Sequence, residues 1–199
     1  MFVNYSILKK MIKGAYEGNG LTIACTKELV MIQSSRWGIS VMRKFLHNKV
    51  KAALTEYIGD LPEEGEAWTY IKAGKNTEMQ QEMIEAIEDY FALKPGNVYM
   101  PTDVHVVTFD GDYQVYEGTD MHKVYVNSVF NAAISAINVE NARGEIQPEP
   151  WRSGGGGYMF RANNVMTIYC HCYSGQTQLA SELLKLTENT SFLEKDVLI

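Results

Sequence analysis

The chain has 199 residues, of which 46% are hydrophobic and 21% charged, with a net charge of -6. That balance belongs to a folded, water-soluble protein and excludes a wholly disordered one. No apolar run approaches the roughly 18 residues of a membrane-spanning helix. The three cysteines, Cys25, Cys170 and Cys172, are an odd set with no disulfide framework, so a reducing, cytoplasmic setting is expected.

In chain order, Asn4 is placed to cap a helix that runs to about Glu17, with Ile7, Leu8, Met11, Ile12 and Ala15 as its apolar stripe. Lysines at 9, 10 and 13 break up this opening segment, so it is not expected to act as a signal peptide. "LTIAC" and "LVMIQ" read as a hairpin across Thr26, Lys27 and Glu28. The stretch 34–59 reads as one long helix, because Met42, Phe45, Leu46, Val50, Ala53, Leu54 and Tyr57 recur at helical spacing and Gly59 ends it. "DLPEEGE" is an acidic loop and "AWTYIKA" a strand.

A helix is expected over 76–93, opened by a Thr77–Gln80 capping box. Its Met79, Met83, Ile84, Ile87, Tyr90 and Phe91 would face inward and five carboxylates outward. "DVHVVTF" and "DYQVYEG" form a hairpin around Asp110-Gly111. Thr119 or Asp120 would cap a helix from Met121 to about Asn138. Residues 139–157 read as a long Gly-rich loop, of the kind often mobile or functional. "YMFRA" and "VMTIYCHCYS" form a hairpin around Asn163-Asn164, followed by a helix over about Gln176 to Glu188 and a flexible tail at 189–199. Hairpins alternating with helices imply a single α+β domain over 1–199, with a largely antiparallel sheet carrying about five helices.

The densest reactive cluster is "IYCHCYSGQT", residues 168–177. If the chain is extended there, Tyr169, His171 and Tyr173 share one face, and Cys170 and Cys172 share the other with Met166 and Ile168. Thiols and imidazole then diverge, which excludes a local zinc site, and no metal or cofactor is expected. A core-facing cysteine also lacks the electropositive, accessible setting of a catalytic thiolate. The Tyr169/His171/Tyr173 row is left as a candidate ligand face.

His105 with His171 invites comparison with two-histidine phosphoesterases, in which a hydroxyl residue follows each histidine by two. Here Thr108 and Ser174 follow by three, so the pattern fails at both places and no membership is claimed. Arg152 and Arg161 bracket Gly154, Gly155, Gly156 and Gly157, a run that could let backbone approach a phosphate. It lacks a P-loop's Lys-Ser/Thr ending and precedes a strand rather than a helix.

Charge is unevenly distributed. Residues 1–54 carry nine Lys/Arg and two Asp/Glu, a net of +7, and residues 55–120 carry three and fifteen, a net of -12. One-signed patches steer charged partners. The basic stretch with Arg36, Trp37, Arg43, Lys44, Lys49 and Lys51 could suit nucleic acid, but an acidic protein disfavours that partner.

The leading reading is therefore a small intracellular interaction protein using a charge-segregated surface and the 139–157 loop, with a charged protein as partner. An alternative is an enzyme or binder of a phosphorylated small molecule, with His171 and His105 catalytic and Tyr169, Tyr173, Arg152, Arg161 and the glycines binding. A third is a structural subunit of a larger assembly. No membrane partner is expected.

Overall fold

The computed structural model describes residues 3–91, 96–108, 111–134, 150–152, 157–173, 182, 185 and 190–192. The chain divides into two compact units. The first comprises Met1–Leu93, Ala132–Gln147 and Ala162–Tyr169, and the second Lys94–Asn131, Pro148–Arg161 and Cys170–Ile199. The fold is α+β and dominated by antiparallel strands, with four α-helices of defined bounds among the described residues against the expected five or so. No helix among them is long and apolar enough to cross a membrane.

In the first unit, helix α1 (Tyr5–Glu17) begins as its sequence dictates: the Asn4 side chain accepts the Ser6 N–H, and Leu8, Met11, Ile12 and Ala15 are buried. Strands β1 (Leu21–Cys25) and β2 (Leu29–Gln33) form the expected hairpin, Cys25 opposite Val30. The region expected to be one helix is instead strand β3 (Trp37–Met42), a 3-10 turn (Arg43–Phe45) and helix α2 (Asn48–Ile58). The reason is that 37–42 also alternates with period two. Trp37, Ile39 and Val41 fall on one face, and β-branched Ile39 and Val41 pair with Ile32 and Val30 of β2. Gly38, on the other face, is where the Tyr169 ring packs, and a Cβ there would collide with it. Helix α2 is capped by His47, whose Nδ1 accepts the Lys49 N–H at 3.1 Å, and ends at Gly59 with φ 78°.

Strand β4 (Glu66–Tyr70) pairs with β1, and β5 (Thr77–Glu78) with β4, giving the order β5-β4-β1-β2-β3. Thr77 is thus an edge-strand residue rather than a helix cap, and helix α3 starts later, at Gln81–Phe91. Ile84 and Ile87 are buried, whereas Met83, expected inside, is 51% exposed.

The second unit is built on strands β6 (Tyr99–Thr108), β7 (Gly111–Gly118) and β8 (Lys123–Asn127). Strands β6 and β7 pair as expected, with Phe109 and Asp110 between them outside the described residues. The expected helix from Met121 is corrected to β8 followed by the short helix α4 (Ser128–Ala133). Val124-Tyr125-Val126 favours a strand, and Met121 (φ 62°) turns the chain back so that Gly118 N–H reaches the His122 carbonyl at 2.8 Å. A bulge interrupts the β6–β7 register between Pro101 and His105. There the Thr102 hydroxyl donates to the Val115 carbonyl at 2.9 Å and Gln114 Nε2 to the Thr102 carbonyl at 2.8 Å. Asn131 closes the network, donating to Gln114 Oε1 and accepting from Tyr116 OH, each at 2.8 Å.

Strand β9 (Trp151–Arg152) pairs with β10 (Tyr158–Ala162), and β11 (Met166–Tyr173) follows; β10 and β11 are each divided between the units. The Asn163 side chain accepts both Val165 and Met166 N–H groups, which makes the expected turn. Most of residues 139–157, where a Gly-rich loop is expected, of 176–188, where a last helix is expected, and of 189–199, the expected tail, lie outside the described residues, though Glu182 and Lys185 are helical.

Candidate functional site

Extended backbone over 166–173 separates the thiols from the imidazole as alternation requires. Cys170 and Cys172 are buried with Tyr99, Tyr116, Val124, Val126 and Met159. Burial pushes the Cys170 thiol well above its usual range and the Cys172 thiol up to about 12. Among the described residues no three His, Cys, Asp or Glu side chains gather as a metal site. His171, half-buried, stands edge-on to Tyr158 with ring centroids 5.3 Å apart. Tyr169 is only 3% exposed and occupies the space over Gly38. Tyr173 packs on Tyr113 at 5.0 Å. The aromatic row is therefore packing surface at both ends.

His105 is exposed on β6, its Nδ1 3.0 Å from Asp112 Oδ1, a contact that holds the Asp112 carboxyl below its usual range. The strand order β11-β8-β7-β6 puts three strand spacings, about 14 Å, between the strands of His171 and His105. Arg152 lies with its guanidinium carbon 5.7 Å from the Tyr99 ring centroid. Arg161 sits beside Tyr116 and Cys170, where burial lowers its pKa. The two arginines are thus set against core aromatics. Gly154, Gly155 and Gly156 lie outside the described residues, while the Gly157 carbonyl accepts the Cys172 N–H at 2.6 Å.

A different place in the first unit has the form of a binding site. Strand β3 ends at Met42, whose N–H donates to the Val165 carbonyl, and the Arg43 N–H donates to the Glu28 carbonyl at 2.8 Å. These bonds fix the 3-10 turn, yet Met42 is 37% and Phe45 50% exposed. Helical spacing in the sequence would instead have put both in a core. Lys44 Nζ lies 5.1 Å from the Phe45 ring centroid. Adjacent residues Leu29 and Val30 of β2 point to opposite faces of the sheet, and a cavity lies on each.

One cavity, of about 370 Å³, is lined by Leu29, Ser40, Met42 and Val165, with Glu88 and Asp89 of α3 among its acidic lining. The other, of about 500 Å³, has Cys25, Val30 and Leu46 as apolar lining, with Arg43 and Lys51 as its cations and Asp60 and Glu63 as its anions. Both are open depressions in the surface rather than enclosed cavities. Burial raises the Cys25 thiol's pKa, with Arg43 opposing it more weakly, so this cysteine is an apolar lining rather than a nucleophile.

The oppositely charged stretches of the sequence meet in this unit without being buried. Arg43 Nη1 lies 3.7 Å from Glu64 Oε2, and Lys9 Nζ 2.6 Å from Glu56 Oε2, both pairs exposed. Exposed pairs of this kind contribute little to stability.

No protein family and no curated protein matches this sequence. Among solved structures the chain is similar to a Helicobacter pylori beta clamp bound to a DNA ligase peptide, at 10% identity and a TM-score of 0.34, covering 88% of this chain and 66% of that one. It is also similar to a DNA polymerase III subunit beta sliding clamp from Bartonella birtlesii, at 9% identity and a TM-score of 0.24, covering 91% and 64%. The chain thus spans just under two thirds of the length of either clamp chain.

Proposed function

We propose that this chain is a protein-interaction module whose partner docks on the Met42–Leu46 turn. The observation that carries the reading is an ordered turn presenting two large apolar side chains, Met42 and Phe45, between cavities on the two faces of one sheet. Because hydrogen bonds already fix the backbone of this turn, only side-chain rotamer freedom remains to be lost when a partner covers it. Apolar anchors that fill pockets within a polar rim are also how interfaces concentrate their energy.

The rim of the larger cavity carries both signs of charge, Arg43 and Lys51 with Asp60 and Glu63. That favours a peptide segment with its own mixed charges over a polyanion, which would meet the two carboxylates as repulsion. The segregation of charge along the sequence thus becomes a two-signed rim in space.

The test replaces Phe45 with a photo-crosslinking residue and identifies the captured partner, then compares that partner's affinity for wild-type chain and for Phe45→Asp. Because Phe45 is half exposed, Phe45→Asp is expected to keep the wild-type melting temperature while weakening the partner about tenfold or more. Unchanged affinity would remove the turn from the interface.

A further inference from the structure

The second unit buries two opposite charges side by side, and no sequence motif marks either of them. The β7–β8 register sets Glu117 directly across from Lys123. They are 1% and 5% exposed, with Lys123 Nζ 4.0 Å from Glu117 Oε2 and 3.3 Å from the Met121 carbonyl. Both lie two residues along their strands from Val115 and Tyr125, hence on the face where Tyr113, Val115 and Tyr125 form an apolar cluster.

The remaining capacity of the carboxylate is taken by a short piece of chain 74 residues away in sequence. Ser191 Oγ donates to Glu117 Oε1 at 2.9 Å, and the Phe192 N–H donates to Oε2 at 2.8 Å. The Phe192 ring packs on the Tyr113 cluster, with Lys123 Nζ 5.4 Å from its centroid.

We infer that this face is a receptor for an extended segment carrying a hydroxyl residue followed by an aromatic one, filled here by Ser191-Phe192 and open to the same chemistry on a partner protein. The inference is independent of the turn at Met42–Leu46. Each part of the contact reads one feature of the ligand. The carboxylate accepts only donors, so it selects a main-chain N–H and a hydroxyl together. The ammonium neutralises the carboxylate and favours an aromatic face beside it. The apolar cluster takes the ring.

A pair of aliphatic residues would cover the same face without desolvating two charges, so the ion pair discriminates among ligands at a cost in stability. The cis segment is also built to be displaced. Ser191 is exposed and Phe192 only half-buried, so little buried surface holds these two residues in place. As a segment of the same chain it competes intramolecularly, which raises the affinity a partner needs.

The test titrates a labelled peptide of residues 187–195 into the full chain and into a full-length Ser191→Ala/Phe192→Ala variant whose own segment no longer competes. The variant is expected to bind the peptide about tenfold more tightly than wild type, and the same peptide with its phenylalanine replaced by alanine is expected not to bind. Adding Glu117→Gln to the variant is expected to weaken binding about tenfold, since a charge-assisted acceptor is lost. A folded variant that binds the peptide no better than wild type overturns the inference. So does loss in the variant of a dimer that wild type forms, because the occupant would then be a second copy. Should the variant not fold, hydrogen exchange on wild type decides: saturating peptide is expected to speed exchange of the Phe192 amide, and unchanged exchange overturns the proposal.

Discussion

Tyr169 shows how one side chain can be misjudged by its chemistry and settled by its neighbour. Its hydroxyl and position beside His171 mark it as a ligand arm, but its ring lies where Gly38 has no side chain. The pairing is steric, and the glycine is required by this close approach. Gly38→Ala is expected to destabilise the chain by about 1–3 kcal/mol, the usual cost of overpacking a filled site. Tyr169→Leu in the same background should recover part of that loss, since it removes the ring the new methyl meets. Urea unfolding of the two single variants and the double one reads the coupling; strictly additive costs would mean that the ring and the glycine do not constrain each other. The alternation rule makes Cys170 and Cys172 legible as core residues from the sequence alone. It does not reveal that the opposite face is covered as well, because that depends on Gly38, more than 120 residues earlier in the chain.

At the scale of elements, the segments read correctly are those in which one periodicity has no rival. Helix α1 has its cap and stripe, and the β1–β2, β6–β7 and β10–β11 hairpins have clear alternation between turn residues. The errors at 37–46 and 121–127 differ in ground: 37–46 satisfies period two and period 3.6 at once, whereas the helix expected from Met121 rests on a cap at Thr119 or Asp120, and in both places strand pairing decides. In 37–46 the choice has a functional consequence, since Met42 and Phe45, core positions on a helix, become exposed on a turn. The candidate site was therefore hidden by a misassigned element rather than by missing residues. The β7–β8 turn carries a further mark of that decision, Met121 at φ 62°, where a side chain is strained and glycine is not. Met121 is exposed, so trimming its side chain removes little buried surface. Met121→Gly is expected to stabilise the chain by about 0.5–1 kcal/mol, the relief of strain exceeding the added freedom of the unfolded chain. A melting temperature that falls instead would show that this turn's geometry does not limit stability.

For the molecule as a whole, the proton balance between folded and unfolded chain sets how it responds to alkali. Three thiols are free and buried, and burial raises the pKa of each, that of Cys172 to about 12. The Tyr116 phenol is likewise pushed up to about 12 by burial. In the unfolded chain thiols ionise near a pKa of about 8.5 and phenols near about 10. Above those values the unfolded state has released protons that the folded state still holds, so it binds fewer protons and stability must fall as pH rises. The contribution is fully present below about pH 8 and is lost upward through the window that ends at the folded pKa. Each buried thiol is expected to steepen the loss by about 1.4 kcal/mol per pH unit once its unfolded form has ionised. Reversible urea unfolding under reducing conditions at pH 8, 9 and 10 measures that slope. Replacing Cys170 by valine and Cys172 by alanine removes two of the groups responsible, so the variant should lose less stability between pH 9 and 10 than wild type, whatever its stability at pH 8. Parallel slopes would mean that these thiols ionise as readily in the folded chain as in the unfolded one, which a core of tyrosines, valines and methionine around them does not permit.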